Sequence, residues 1–584
     1  MDIKKLYKEL VRRNVFRAVL AYLAVAWVLI EAASTILPTF GAPEYVIKGL
    51  IYLLSIGLVI WAGFSWVYDL TPEGIRKTPE AYDTPETRQM NSRRLNAVII
   101  VSVFAAVLVL VAGSFWAGSR WGSEQELAGS SGYRIAVLPF EDRSDNAEFD
   151  YLREGLAEDV ISKLLNFSEV AVISSRSAFQ FKDTDKSIGE ISSELNADIV
   201  LIGNYTITNQ KVDVKVEVID PRADEILNYA SILGDLEHIS DISSKIGAHL
   251  QESLGITADE TEAEGKIEAR PVNPEAFKFY ALGKSAMRDH TGQKLEDITK
   301  YFQAAIELDP DYSDPYIGMA EAYLFDINRG YLSPTEGAAK AKNYALKAEK
   351  LNPGSGEVSG LLGSIHFCNY DFERAVPYFE KSLEESPNFT LAYQWYSFIL
   401  YFFGDFDRAE ELQRKAALLD PLDNLNDMYL AINYIFRDKL GQAEKFIDAK
   451  LSLNPDHLEM IWLKSVLLVE KGMYQEAYET ILKRKKFLET NFLSGYILAR
   501  VGKEEQAVIV LNKIMERSEK QYVPPSQIAM LMCGLGLYDQ ALDQIEEAFL
   551  AHDLWIGWIH FTSMADPIKD DPRYISLMKP LIKG

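Results

Sequence analysis

The sequence predicts a multi-domain chain: three transmembrane helices, a small α/β domain, then an all-α repeat solenoid. Three observations predict it. Long apolar runs crowd the amino-terminal part, short strand-like and helical segments alternate in the middle, and prolines and alanines recur at one fixed spacing later on. Of 584 residues, 48% are hydrophobic. That is an ordinary amount, so it is the uneven distribution that carries the information.

The first element is a membrane anchor over residues 1–117. Its spans run from Val15 to Leu37, Gly49 to Tyr68 and Ala97 to Ala117. Each has about the 20 apolar residues needed to cross ~30 Å of hydrocarbon. Lys4, Lys5, Lys8, Arg12 and Arg13 precede the first span, and Arg76, Lys77, Arg88, Arg93 and Arg94 follow the second. The turn between the first two spans has only Lys48. The excess of basic residues predicts a cytoplasmic amino terminus and cytoplasmic loop 69–94, with everything after the third span outside. Glu31, inside the first span, is a functional candidate as an intramembrane carboxylate, or a group near the outer interface facing the bundle.

The segment KELVRRNVFRAVLAYLAVAWVLIEAAS, with DLTPEGIRK after the second span, resembles the anchor of a bacterial family. That family couples it to a TolB amino-terminal-like (FlgO-like) domain and tetratricopeptide repeats. The resemblance implies a multi-pass protein of the bacterial inner membrane whose soluble part is periplasmic.

A Gly/Ser-rich linker, 118–132, leads into the middle domain, 133–256. YRIAVLPF reads as a buried strand stopped by Pro139, and Tyr151 to Leu165 as a helix with Leu152, Leu156, Val160, Leu164 and Leu165 close to one face. Val212, Val214, Val216 and Val218 alternate with polar residues, the pattern of a half-buried antiparallel strand. The predicted order is β-α-β-α-β-β-β-α. IAVLPFEDRSDN, EGLAEDVISKL, VISSRSAFQFK and IGNYTITNQKVDVKVEVID resemble blocks of the TolB amino-terminal-like domain, which implies a non-catalytic envelope domain. Ser174, Ser175 and Ser177 have no local His partner and read as a turn after a strand.

A second linker, 257–273, is acidic and aperiodic. The array, 274–584, follows. Pro353, Pro387, Pro421 and Pro455 are each 34 residues apart, as are Ala375, Ala409, Ala443 and Ala477. That period indicates tetratricopeptide helix-turn-helix units, in which small residues let paired helices approach. The register gives about eight units and a capping helix at DPRYISLMKPL, with an insertion around Asp326 to Thr335.

The net charge of −25 repels phosphate backbones, so no nucleic-acid partner is expected. Cys368 and Cys533 read as two small buried side chains rather than a disulfide or zinc site. No phosphate-binding loop, dinucleotide fingerprint or zinc-hydrolase motif is present in the sequence. The expectation is a non-enzyme with no cofactor and no metal. Its leading function is a membrane-anchored interaction scaffold or sensor that binds a protein or peptide in the repeat groove. The alternatives are a transmembrane signalling component with a separate cytoplasmic partner, and an envelope enzyme with an unrecognised site in the middle domain. The first helix of each unit lines the groove. The register puts there Phe367, then Leu391, Gln394, Phe398 and Tyr401, then Leu425, Met428, Ile432 and Ile435, then Trp462, Val466 and Val469.

Overall fold

The computed structural model describes residues 68–71, 74–77, 132–144, 147–255, 271–288, 294–482 and 491–582, with isolated helical positions before residue 60. The chain divides into two compact units, Met1–Gly129 and Ser130–Gly584. In the first, β1 (Tyr68–Thr71) and β2 (Gly74–Lys77) form an antiparallel hairpin. Among the described residues no helix is long and apolar enough to cross a membrane. The expected fold class with three transmembrane helices is therefore corrected to a small sheet domain followed by a helical repeat array. The multi-pass inner-membrane location, the periplasmic placement and the lipid-bilayer partner go with it. The physical reason is that an apolar run meets a length requirement and nothing more. Tyr68, placed at the end of the second span, is paired with Lys77 in a hairpin, and Arg76 and Lys77, counted as loop, form part of its partner strand. Apart from the isolated positions and Tyr68, the three runs, with Glu31, lie outside the described residues, as does most of both linkers.

The second unit begins with the sheet domain. Its strands are β3 (Arg134–Val137), β4 (Glu141–Asp142), β5 (Ala171–Val172), β6 (Ile199–Thr208), β7 (Lys211–Asp220) and β8 (Glu225–Asp235). The order across the sheet is β5-β3-β6-β7-β8, with β4 beside β6. β3 runs parallel to β5 and β6, while β6, β7 and β8 are antiparallel. The alternation in β7 does what its period requires: Val212, Val214, Val216 and Val218 are all fully buried. Helices α1 (Leu152–Leu164), α2 (Ser175–Ala178), α3 (Ile188–Leu195) and α4 (Ile239–Ser253) complete the domain. α3 opens with a reciprocal cap between Ser187 and Glu190 and stops at Asn196 in the left-handed region. Leu152, Leu156 and Val160 of α1, with Ile242 and Ile246 of α4, are fully buried in the domain's core. β4 and α2 have no counterpart in the sequence reading. The serines read as a turn form α2, which Ser174 caps by accepting from the Ser177 N–H.

Helix pairs follow: α5–α6 (Pro274–Arg288, Leu295–Leu308), α7–α8 (Asp314–Asn328, Pro334–Leu351), α9–α10 (Gly356–Cys368, Phe372–Glu385) and α11–α12 (Thr390–Phe402, Phe406–Leu419). Beyond them come α13–α14 (Asn424–Phe436, Leu440–Leu453), α15–α16 (Leu458–Glu470, Tyr474–Leu482), α17–α18 (Phe492–Arg500, Glu504–Ser518) and α19–α20 (Pro525–Gly534, Tyr538–Leu550). α21 (Ile556–Phe561) and α22 (Pro572–Met578) end the unit. The periodic alanines sit at helix crossings with no exposed surface. A side chain on Gly363 would come within 3.0 Å of the Phe379 ring, which is why a small residue is needed there. The turn inside each pair also repeats. Tyr370, Gly404, Asp438 and Gly472 all have positive φ, a backbone state that glycine enters at least cost.

Candidate functional site: an aromatic chamber in the repeat array

The first helices of successive pairs place their apolar faces side by side, so the register that buries the alanines turns large side chains inward. Between them lies a cavity of about 630 Å³. Phe367 of α9 and Phe398, Tyr401 and Phe402 of α11 form one wall. Leu425, Met428, Tyr429, Ile432 and Phe436 of α13 form the next, followed by Trp462 of α15 and Phe492 of α17. Leu554, Trp555, Gly557 and Trp558 close it from the far end of the chain. Polar lining comes from Asn328, Arg329, Tyr331, Glu459, Asn491 and Gln527.

The closure is a packed contact. The Phe436 and Trp558 rings are 5.2 Å apart, and Trp462 and Trp558 are 5.4 Å apart. Phe561 meets Phe406 edge-on at 5.4 Å. The Tyr370 hydroxyl donates to the Asp553 carbonyl at 2.8 Å, and the Ser563 N–H donates to Glu470 at 2.9 Å. α21 therefore lies across the inner face of the array instead of extending it.

Of the twelve groove residues singled out, Phe367, Phe398, Tyr401, Leu425, Met428, Ile432 and Trp462 line this chamber, while Ile435, Val466 and Val469 are buried in the core of the array instead. Phe398 and Met428 are half-buried, whereas Phe367, Tyr401, Ile432 and Trp462 are buried against their neighbours. Leu391 and Gln394 go elsewhere. They line a second cavity of about 160 Å³ where the sheet domain meets the array. Sequence reasoning missed Phe492, Trp555 and Trp558, because nothing in a local period says that a distant helix will fold back. It also missed Asn328, Arg329 and Tyr331. The break in register at Asp326 to Thr335 was the available signal for these.

The seam between sheet domain and array is polar. Asn388 donates to the Phe167 carbonyl at 2.7 Å and accepts from the Val172 N–H at 3.1 Å. Ser177 donates to Asp420 and accepts from the Leu422 N–H at 2.9 Å. Lys284 of α5 bridges Glu158 of α1 at 3.2 Å and Glu321 of α7 at 3.1 Å, and Arg288 bridges Glu154 and Glu158. Burial works against the charge on Glu158, but Lys284 and Arg288 outweigh it and hold the carboxyl below its ordinary value. Glu357 is pushed up to about 8, by burial first and by Glu321 second. Asp420 is pushed up to about 6 by burial and then Asp423. Among the described residues no group of three or more His, Cys, Asp or Glu is placed to hold a metal ion.

Comparison with known proteins gives several likenesses. Residues 131–248 match the second domain of the HilA/YgeH-like transcriptional regulators, a different family from the TolB amino-terminal-like one expected for the same stretch. The transcriptional regulator HilA of Salmonella typhimurium is 22% identical over 460 residues, covering 76% of this chain and 78% of its own length. A Rhizobium meliloti protein named as adenylate cyclase 3 is 24% identical over 193 residues, and the match spans 33% of each chain. Among solved structures, yeast Tom70 is 14% identical, covering 74% of this chain and 85% of its own, at a TM-score of 0.34. YrrB, described as a tetratricopeptide protein with an unusual peptide-binding site, is 20% identical, covering 32% of this chain and 91% of its own, at a TM-score of 0.23.

Proposed function

We propose that this chain is a non-enzymatic interaction scaffold whose repeat array takes a protein or peptide partner into the aromatic chamber. The observation that carries the reading is the chamber itself: inward-facing side chains of several successive repeats converge on one apolar cavity. Concave repeat surfaces serve this purpose generally, and buried aromatic residues are the usual anchors of affinity. The partner presents bulky apolar side chains, since Phe398, Met428 and Leu425 offer little else to contact. Replacing Phe398 and Met428 together by Ala tests this, because both are half-buried, although Phe398 also meets the Tyr429 ring edge-on at 4.7 Å. In-cell crosslinking should then recover at least tenfold less partner while the melting temperature moves by only a few degrees. Partner recovery equal to that of the parent chain would sink the reading.

A second reading is favoured by the match to HilA/YgeH-like regulators. In it, the sheet domain and array form the regulatory part of a transcription regulator. Chromatin capture with the tagged chain should then enrich particular promoters, and an unenriched profile would rule it out.

A further inference from the structure

We propose that the free edge of the sheet domain, strand β8, binds an extended segment of a partner protein whose alternate side chains are apolar and whose two ends carry Lys or Arg. The opposite edge of the sheet, β5, is covered: its Val172 N–H donates to Asn388, and the Ser174 N–H just beyond it donates to the Leu419 carbonyl at 2.7 Å. β8 ends the sheet on the other side, and among the described residues no strand pairs with its outer side.

The backbone asks for an extended chain. The Leu236 N–H donates to the Gln210 carbonyl at 3.0 Å, and pairs run unbroken from Lys211–Asp235 to Val218–Asn228. Along an antiparallel ladder the bonding direction alternates from residue to residue. Ala230, Ile232 and Gly234 therefore bond β7, while Tyr229, Ser231 and Leu233 turn their backbone groups outward. The Tyr229 N–H shows that direction, since it donates to the side-chain oxygen of its own neighbour Asn228 at 2.8 Å. The side chains of these outward residues share one face, where Tyr229 is 51% and Leu233 70% exposed. Edge strands are commonly protected by Lys, Pro or a bulge. Between Asn228 and Asp235 there is no Lys, Arg or Pro, and the one register shift, at Val218/Ile219, falls outside that stretch. Such an edge is read by strand addition, with main-chain bonds giving affinity and alternate side chains giving specificity.

Charge selects the occupant. Asp224 and Glu225 stand at one end of β8 and Glu237 just past the other, all exposed and, among the described residues, in no ion pair. No Lys or Arg occurs from Ala223 to His238. On β7, Lys211 is tied to Asp235 at 2.6 Å, and Lys215, opposite Ser231, shares its face with Asp213 and Glu217. A second copy of the chain is therefore a poor occupant. Antiparallel pairing of two β8 edges would set the Glu225 end against the Glu237 end, and parallel pairing would set each end against itself. Either way acid meets acid, and like charges placed opposite each other destabilise a strand pair. A strand with basic residues at both ends meets an acid at each end in either direction.

The experiment is a fluorescence-anisotropy titration of the purified full chain into a labelled synthetic peptide that alternates Val and Thr between two lysines at each end. Saturable binding is expected. The same peptide with glutamates for lysines should bind at least tenfold more weakly. The lysine peptide with every valine N-methylated should not bind, because the N–H groups that would donate to the edge carbonyls are gone. Leu233→Lys alters an exposed side chain and should weaken the lysine peptide at least tenfold at an unchanged melting temperature. Glu225→Lys combined with Glu237→Lys should reverse the preference between the lysine and glutamate peptides. The ranking of the three peptides on the unaltered chain needs no variant, so a misfolded variant leaves the proposal testable. Absence of saturable binding, equal binding of the glutamate or N-methylated peptide, or undiminished binding to a folded Leu233→Lys chain would each overturn it. Sedimentation of the chain alone tests the second copy: a dimer that Leu233→Lys separates would mean that the edge pairs with itself, and would overturn the proposal too. The chamber reading, tested at Phe398 and Met428, stands or falls separately.

Discussion

Asn388 shows how much one side chain carries at the seam. It is 3% exposed, and its amide serves both the loop after α1 and the edge strand β5. Asn388→Ala leaves the Val172 N–H and the Phe167 carbonyl without partners in a buried place. The cost should be about 1–3 kcal/mol, read as a lowered midpoint in denaturant titration of the purified chain. Glu357 makes a second residue-scale case. An unfolded glutamate loses its proton near its ordinary value of 4.5, whereas the folded one holds it to about 8. The folded state therefore binds the extra proton in between, so the contribution is complete below 4.5, falls as pH rises through that window, and levels off above it. The charged groups around it are Glu321, Lys284, Asp314 and Lys163. Glu357→Gln removes the titration. The variant should gain stability relative to the parent between pH 5 and pH 8, a trend that paired thermal melts would reveal or refute.

At the scale of elements, the helix crossing decides what each repeat tolerates. Ala409 has no exposed surface where α12 packs. Ala409→Trp should overpack that contact and cost about 1–3 kcal/mol or more. An unchanged melting temperature would mean that the crossing lies elsewhere. The crossings were legible in the sequence because a period repeated over several units forces small residues to the same offset, and the alternating valines of β7 were legible for the equivalent reason in a strand. The chamber was legible only in part. Local register put Phe398, Tyr401, Met428, Ile432 and Trp462 on one inner face. It could not separate Leu391 and Gln394, which sit in the first turns of α11 and meet the sheet domain instead. Nor could it place Trp555 and Trp558, whose position depends on contacts made some hundred residues away in the chain. The membrane reading failed on a different ground: hydropathy reports apolar content, and among the described residues no helix is long and apolar enough to cross a membrane.

At the largest scale, within Ser130–Gly584, the packing of α21 against α11, α13 and α15 shuts the array on itself. Gly557 is a point of close approach in that contact, since a side chain there would come within 2.8 Å of the Phe402 ring. Gly557→Val should lift α21 from the inner face. The indoles would then meet water, so tryptophan emission should move to longer wavelength and dye binding should rise, while an unshifted spectrum would show that the roof tolerates the change. The same contact alters how the array must fold. An open solenoid behaves as a row of neighbours that can nucleate anywhere and fray from either end. Here the pairing of Tyr370 with Asp553, and of Phe436 with Trp558, joins segments more than a hundred residues apart. Bringing segments so far apart in the chain together carries a loop-closure cost, and such distant pairing slows the search. The closed array should therefore melt as one cooperative block, losing its terminal repeats no sooner than its centre.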